Sequence, residues 1–297
     1  MSRQDRFALG GLVLAAGLVV LLVWFSERTG PPPAAAPTPR SQPLVRAEPA
    51  PPAPLAVPEQ AAAEPSPVAS LSSSSVARVA IIMDDLGRSF HAAQTLLSFA
   101  EPVAFSILPG ESQAAAVAEM AHLAGREVLL HLPMEPRGYP EINPGHDALL
   151  LSQTDDEIER RIDGFLQRVP YAVGVNNHMG SRFTEDRRAM TTVMQSVHRR
   201  GLFMVDSLTT GRSVVVDVAR ELRVPWQRRD VFLDNVAEVE AIAEQVALLV
   251  AKARRHGMAI GLCHPYPETL QALGRELPLL AERGVKVVPV ATLLRRD

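Results

Sequence analysis

The chain has 297 residues, of which 47% are hydrophobic and 21% are charged. This composition is typical of globular proteins and excludes collagen, coiled-coil and wholly disordered chains. The formal net charge is -3, so basic residues are not in excess over acidic ones, and we predict no nucleic-acid partner. Because Cys263 is the single cysteine, no disulfide closes within the chain, and a metal site would use histidine and carboxylate ligands.

The stretch from Phe7 to Phe25 is an uncharged apolar run of about 19 residues. A helix of that length crosses a hydrocarbon core of roughly 30 Å, so residues 1–28 are predicted to be a transmembrane anchor. A cleaved signal peptide is the alternative, although its apolar region is usually shorter and small residues follow it directly. The arginines before the run predict a cytoplasmic N-terminus, a single pass through the inner membrane and a periplasmic remainder.

Residues 29–75 are predicted to be a disordered linker. Thirteen of the 25 prolines of the chain lie between residues 30 and 75, together with many alanines and a run of four serines. Such a segment buries too little apolar surface to offset its ordering entropy, and it favours extended, partly polyproline-like conformations. At about 3.1 Å per residue it would hold a domain on the order of 100 Å from the membrane, which suits a target in the cell wall.

From residue 76 to residue 297, short apolar runs alternate with amphipathic stretches. Continuous runs of Val, Ile and Leu are typical of strands that are buried on both faces of a parallel sheet. We predict strands at Val79–Met83, Val103–Leu108, Glu127–Leu132, Ala172–Asn176, Leu202–Val205, Pro225–Leu233, Ala259–Cys263 and Val285–Val290. We predict helices at Ser89–Ala100, Ser112–Ala124, Asp155–Val169, Asp186–Arg200, Arg212–Leu222, Glu238–His256 and Pro267–Arg283.

The unit of strand, helix and glycine recurs along this part of the chain. Glycine stands just past four of the predicted helices, where a left-handed residue often ends a helix. Repeated strand–helix units form parallel strands with right-handed crossovers. Seven or eight such units predict an α/β fold, a closed or nearly closed β/α barrel, and a doubly wound open sheet is the alternative.

Six of the predicted strands end in polar or titratable residues although their bodies are apolar. In β/α barrels the loops that follow the strands converge on one rim, where the active sites of such enzymes lie. The residues at these strand ends are Asp84-Asp85, His131, Asn176–Ser181, Asp206-Ser207, Asp234 and Cys263-His264. We therefore expect them to meet at one mouth of the barrel.

Two imidazoles and one carboxylate at this rim suit zinc, or another first-row divalent ion, with positions left for water and substrate. Such an ion acidifies its water and polarises a carbonyl oxygen. If one of the adjacent Asp84 and Asp85 binds the cation, the other is left as a base for the attacking water. His264 could then protonate the leaving group, with an acid such as Asp206 to orient it. These groups suit metal-assisted hydrolysis of an amide or ester, whereas the absence of a G-x-S-x-G motif disfavours a serine hydrolase.

Several motifs resemble those of a known family. Ile81–Gly87, His131–Pro136, Asn176–Ser181 and Asp206-Ser207 are similar, in this order, to motifs of the divergent polysaccharide deacetylases. That family is a branch of the NodB-type carbohydrate esterases, which have a distorted (β/α) barrel. The resemblance covers essentially all of residues 76–297. It implies a divalent-metal deacetylase of N-acetylated sugars, with peptidoglycan or a related envelope glycan as its partner.

The resemblance also implies roles for individual residues. The Asp84-Asp85 pair matches the first motif of the typical deacetylases, in which the first Asp is the base and the second is a metal ligand. His131 matches the first histidine of the second motif, in which another histidine follows four residues later. Glu135 stands at that place here, and His178 is our candidate for the remaining ligand.

The segment Leu262-Cys263-His264 matches a late Leu-x-His motif that bears the catalytic acid, and Asp206 stands near the place of its partner. The Arg-Pro-Pro-Tyr stretch of the typical enzymes is replaced by Asn176–Ser181. The candidate substrate-binding residues are Asn177, Ser181, Ser207 and Glu135. Two functions remain open: a membrane-tethered periplasmic deacetylase, with zinc as the expected metal, and a barrel with weak or no turnover that binds glycan or acts as an envelope scaffold.

Overall fold

The computed structural model describes residues 76–296. The predicted anchor, residues 1–28, and the predicted linker, residues 29–75, lie outside the described residues. Within residues 76–296, none of the helices combines the length and the apolar character needed to cross a bilayer.

The described chain alternates strands and helices throughout. The strands are β1 (Ala77–Leu86), β2 (Ala104–Ile107), β3 (Val128–Met134), β4 (Ala172–Met179), β5 (Phe203–Asp206), β6 (Trp226–Arg228), β7 (Val231–Phe232), β8 (Met258–Cys263) and β9 (Val285–Val287). The α-helices are α1 (Phe90–Leu97), α2 (Ala114–Leu123), α3 (Asp155–Arg168), α4 (Arg187–Arg199), α5 (Val215–Glu221), α6 (Val239–His256) and α7 (Pro267–Glu282). Two short 3-10 helices cover Phe183–Glu185 and Val290–Leu293.

Local signals in the sequence explain where individual helices begin and end. Thr154 begins α3 with a capping box, because its hydroxyl accepts from the Glu157 amide while the Glu157 carboxylate accepts from the Thr154 amide. Gly257 ends α6 with a φ of 83°, a left-handed conformation that costs glycine little. The predicted helix end at this glycine is therefore confirmed.

The strands form one parallel sheet that curls into a half-barrel. Its order is β6-β5-β4-β3-β2-β1-β8-β7, and β9 pairs with the first residues of β1. Every ladder between these strands is parallel, which confirms the predicted α/β class. The order follows the chain around the sheet, as in a barrel, and does not reverse at a switch point as in a doubly wound sheet.

The segment predicted as one strand over Pro225–Leu233 is two strands in the structure. β6 pairs with β5, whereas β7 pairs with β8 at the opposite edge of the sheet. The chain changes edge at a bend, where the Arg229 amide donates to the Asp206 carbonyl and the Asp230 amide donates to the Ile260 carbonyl. This one segment therefore joins the two edges of the curled sheet.

The two faces of the sheet bury different sets of side chains. The outer face packs against the helices and forms the larger hydrophobic cluster. The concave face encloses a second cluster, which we call the inner core. Its buried members are Ala80, Ile82, Ala104, Leu129, Phe203, Val205, Ile260, Leu262, Val288, Val290 and Leu293. Gly174 makes room for it, because a Cβ atom on this glycine would lie 2.3 Å from the Phe203 ring.

Candidate metal centre

Toward the carboxyl ends of the strands, the concave face changes from apolar to polar. Because side chains two residues apart share a face of a strand, each polar residue continues the row of an inner-core residue. The successive pairs are Ile82 and Asp84, Ala104 and Ser106, Leu129 and His131, and Leu262 and His264. We call Asp84, Ser106, His131, Asn176 and His264 the polar layer, and all five are buried.

Asp84 and Asp85 both reach the site although adjacent strand residues normally point to opposite faces. The β1–β2 register shifts between Met83 and Leu86, where β1 has one residue more than β2. Asp85 has a φ of 55° at this irregularity. Such bulges re-aim side chains, and this one turns the second aspartate toward the site.

Asp85, His131 and His178, the three predicted metal ligands, come together at this end of the sheet. His131 pairs with Asn176 across the β3–β4 ladder, so His178 lies one step further along the same face. The Asp85 Oδ1 atom lies 3.0 Å from His178 Nδ1 and 3.2 Å from His131 Nε2. The two imidazole nitrogens lie 3.2 Å apart, which completes a nearly equilateral triangle of donor atoms.

This triangle has the dimensions of a metal site. Donors bound to a tetrahedral zinc ion at about 2.0–2.2 Å lie roughly 3.4 Å apart. The Asp85 Oδ1 atom is buried, and apart from its close contacts with the two imidazoles it has no partner among residues 76–296. Buried polar atoms without partners are rare and call for an explanation such as an ion. The residues present therefore fit a divalent cation. Because they supply three ligands, coordination positions of the ion would remain open for water and substrate.

The charges of the triad are consistent with an ionised Asp85. Burial alone would raise the pKa of Asp85, but the electrostatic interaction with His178 and the contacts with both imidazoles hold this pKa well below its usual range. For His131, burial alone would lower the pKa, but the charge of Asp84 and the contact with Asp85 outweigh it and raise the pKa.

Asp84 lies beside the triad without joining it. Its Oδ1 atom accepts a hydrogen bond of 2.8 Å from Asn176 Nδ2 and lies 3.7 Å from His131 Nδ1. The side chain is almost fully buried, with 2% of the residue exposed. Its position next to a ligand, but outside the triangle, suits a base for an attacking water.

His264 approaches the triad from β8, on the other side of Asp85. Its Nε2 atom lies 3.9 Å from Asp85 Oδ2, and its Nδ1 atom lies 3.2 Å from Asp234 Oδ1. Asp234 is held in turn by the His264 amide and by the Thr269 hydroxyl. Burial alone would lower the pKa of His264, but the hydrogen bond with Asp234 and the charges of Asp85, Asp234 and Asp84 raise it to about 9.

The structure places Asp234 against His264, where the sequence predicts Asp206. The Asp206 carboxylate accepts instead from the Leu208 amide and the Ser213 hydroxyl, at 2.8 Å each. Strand order explains the difference, because four strands (β4, β3, β2 and β1) lie between β5 and β8 in the sheet, whereas Asp234 follows β7, the direct neighbour of β8. The pKa of Asp206 is raised, mainly because its carboxyl group is buried, although its two hydrogen bonds oppose this rise.

The four predicted substrate-binding residues are buried and make contacts within the chain. The Asn177 side chain accepts from the Ser207 amide and donates to the Met179 carbonyl. The Ser181 hydroxyl accepts from the Arg137 amide. The two Glu135 carboxylate oxygens accept from Arg182 Nη1 and from the Leu151 amide, so Glu135 braces the loop that follows β3. Contact of these four residues with substrate stays a prediction.

Asn176 and Ser106 have no role among the residues predicted from the sequence, and Asp234 is predicted only to lie at the rim. All three could have been found from strand geometry. Asn176 stands two residues before His178, and Ser106 stands two residues after the inward-facing Ala104, so each shares a row with a residue of known direction. Asp234 follows the strand next to that of His264.

A model of the divergent polysaccharide deacetylases matches residues 81–294. The chain belongs to this family. The match covers the polar layer, the triad and Asp234, and it confirms the resemblance that the motifs suggested.

Two relatives and one solved structure illustrate what this chain is similar to. The uncharacterized protein YibQ of Escherichia coli K12 is 37% identical over 196 residues, 66% of this chain and 61% of YibQ, so the match spans about three-fifths of that relative. An uncharacterized protein of Haemophilus influenzae is 33% identical over 222 residues, 74% of this chain and 78% of the relative. The crystal structure of the uncharacterized protein ATU2773 of Agrobacterium tumefaciens has a TM-score of 0.71 at 29% identity and covers 75% of this chain and 91% of its own.

Proposed function

We propose that this chain is a metal-dependent hydrolase that removes acetyl groups from N-acetylated sugars of a cell-envelope glycan. Membership of the divergent polysaccharide deacetylases supports this reaction class. The observation that carries the proposal is the triangle of Asp85, His131 and His178 donor atoms, with Asp84 on one side and His264 on the other. Zinc is the proposed ion, because two imidazole nitrogens and one carboxylate oxygen with open positions are typical of catalytic zinc.

A bound divalent ion would polarise the acetyl carbonyl and lower the pKa of the attacking water. Asp84 accepts a proton from that water as the new C–O bond forms, and Asn176 Nδ2 holds the carboxylate in place by donating to Asp84 Oδ1. His264, with a pKa of about 9, is protonated at neutral pH. Its Nε2–H donates this proton to the departing sugar nitrogen as the C–N bond breaks, so the products are acetate and a free amine.

The location and the partner also belong to the proposal. We propose a single-pass inner-membrane protein with an anchor at residues 1–28, a linker at 29–75 and the deacetylase domain at 76–297 in the periplasm. The uncharged apolar run from Phe7 to Phe25 and the proline-rich stretch after it support this arrangement. The glycan would then be peptidoglycan or another N-acetylated polysaccharide within reach of the linker.

The test combines zinc content with acetate release by the full-length protein. Wild type is expected to retain one zinc ion per chain after dialysis and to release acetate from chitooligosaccharides or glycan strands. His131→Ala removes one of three ligands, so zinc retention and acetate release should both be lost. His146→Ala is the matched control, because His146 is an exposed histidine of the loop after β3 and should change neither readout.

Each outcome of this test is informative. Equal zinc content in wild type and His131→Ala would overturn the assignment of the triad. Zinc and glycan binding without acetate release from any acetylated sugar would favour the alternative, a glycan-binding or scaffolding barrel.

A further inference from the structure

Asn176 lies at the centre of the polar layer, between a candidate ligand and the candidate base. Its side chain is fully buried, and each of its four hydrogen-bonding positions has a partner. The Oδ1 atom accepts from the Ser106 hydroxyl at 2.6 Å and contacts His131 Nδ1 at 3.2 Å. The Nδ2 atom donates to Asp84 Oδ1 at 2.8 Å and to the Ser207 hydroxyl at 3.3 Å.

The chemistry of these partners fixes which end of the amide faces which neighbour. The carboxylate oxygen of Asp84 accepts a hydrogen bond, so the NH₂ group of Asn176, which can only donate, faces Asp84. The amide oxygen is then turned toward His131. The reverse orientation would place two acceptors, the amide oxygen and the Asp84 carboxylate, in buried contact, at the desolvation cost of groups without partners.

This orientation determines where His131 carries its proton. A hydrogen bond from the ring to the Asn176 oxygen requires a proton on Nδ1, and in the neutral ring this leaves the lone pair on Nε2. The Nε2 atom is the one that lies 3.2 Å from both Asp85 Oδ1 and His178 Nδ1. The lone pair therefore points into the triangle in which an ion would be held.

We propose that Asn176 is a positioning residue: one buried amide sets the ligand tautomer of His131 and fixes the orientation of Asp84. The inference rests on the proposed function only for the roles of those two residues. Partners of ligating histidines fix ring orientation and tautomer, and their loss typically costs 10–100-fold in metal affinity. Here the same partner also holds the base, so the ligand and the base are coupled through one side chain.

The tautomer is measured directly in the unmodified, full-length protein. In the zinc-free protein at alkaline pH, where the ring is neutral, long-range ¹H–¹⁵N spectra should show the His131 proton on Nδ1. The spectrum of His131→Gln assigns the signal. A proton on Nε2 in wild type would overturn the proposal, and this measurement requires no substitution of Asn176.

Two substitutions of Asn176 separate positioning from general damage. Asn176→Leu removes the acceptor for His131, so zinc affinity should fall about 10–100-fold. In Asn176→Asp the new carboxyl group faces Asp84 and shares one proton with it, so an acceptor stays next to Nδ1 and zinc affinity should be no weaker than in wild type. Equal losses of affinity in both variants, or unchanged affinity in Asn176→Leu, would contradict the proposal.

Gln227→Leu is the control for the loss of a buried amide. Gln227 is buried away from the triad, and its Nε2 atom donates to the Leu293 carbonyl. This variant should keep wild-type zinc affinity, and a loss as large as that of Asn176→Leu would overturn the proposed positioning. Zinc affinity and tautomer are measured without substrate, so absence of deacetylation would end the proposed function and leave this result standing.

Discussion

The inner core and the polar layer are built by the same strands but have opposite chemistry. In the inner core, Ile82, Leu129 and Leu262 fill the concave face of the sheet with apolar side chains. Two residues further along the chain in each case, Asp84, His131 and His264 occupy the next position of the same row, with His264 directly after the end of β8. The two-residue period of the strands therefore points the side chains of both layers to the concave face. Residue type alone decides which layer stabilises the fold and which can perform chemistry.

The two layers also differ in how they are held together. The inner core is stabilised by removal of apolar surface from water, at roughly 25 cal/mol per Å². The polar layer is held by directed hydrogen bonds around Asn176, and the neighbouring Asp85 keeps one buried oxygen without a partner among the described residues. We therefore expect substitutions in the inner core to change the stability of the fold. Substitutions in or next to the polar layer should change metal affinity and the pKa values of its titratable groups.

The largest effect on stability is expected from Phe203→Ala in the inner core. Removal of a buried phenylalanine ring leaves a cavity, which typically costs about 3–5 kcal/mol of unfolding free energy. Denaturant unfolding of the full-length protein, followed by circular dichroism, measures the loss. Zinc affinity under native conditions should remain near the wild-type value, and a large loss of affinity would contradict the separation of the two layers.

Gly174 sharpens the same prediction. A Cβ atom at this position would lie 2.3 Å from the Phe203 ring, so Gly174→Ala alone should destabilise by about 1–3 kcal/mol through overpacking. In the Phe203→Ala background the added methyl group occupies vacated space and should cost much less. Additive losses in this double-mutant cycle would show that the two residues do not share the space.

A smaller effect, of about 1–3 kcal/mol, is expected from Asp234→Asn next to the polar layer. The pKa of His264 is about 9 in the folded protein, above its ordinary value of about 6.5. Its contribution to stability is therefore fully present below pH 6.5 and is lost as pH rises through about 9. Asp234→Asn removes a principal cause of the raised pKa, so the zinc-free variant should lose most stability at low pH and little at high pH.

Chemical denaturation of the zinc-free protein between pH 6 and pH 9.5 measures this dependence, and an NMR titration of His264 measures its pKa directly. Asp217→Asn is the control, because Asp217 is an exposed aspartate of α5. An unchanged pKa of His264 in Asp234→Asn would show that the Asp234 carboxylate does not hold the proton.

Much of this architecture could be predicted from the sequence because it depends on local pattern and chain order. Apolar runs of Val, Ile and Leu predicted the parallel strands, and polar strand ends predicted the residues of the rim. The proximity of His131 and His178 could be predicted because their strands follow each other in the chain and pair in the sheet. The position of Asp85 beside them depends on a bulge that pattern alone does not reveal.

The remainder depends on which strands are neighbours in space and where the chain bends. Asp206 was predicted as the partner of His264 from its place in the sequence, but four strands lie between β5 and β8 in the sheet. At the bend Arg229-Asp230 the chain passes from one edge of the sheet to the other within two residues. Neither of these two residues is a glycine or a proline that would mark the bend in the sequence. The role of Asn176 depends on four simultaneous contacts, which a one-dimensional pattern does not contain.

The smallest expected effect tests where the polar layer ends. Glu135 stands where typical deacetylases have their second histidine, yet Arg182 Nη1 and the Leu151 amide each lie 2.7 Å from one of its oxygens. Glu135→Gln should therefore leave zinc affinity unchanged and cost about 1 kcal/mol of unfolding free energy, because one hydrogen bond to the loop after β3 is weakened. Asp85→Asn, measured beside it, should lose zinc. A loss of zinc in Glu135→Gln would instead make Glu135 a ligand and extend the metal centre into that loop.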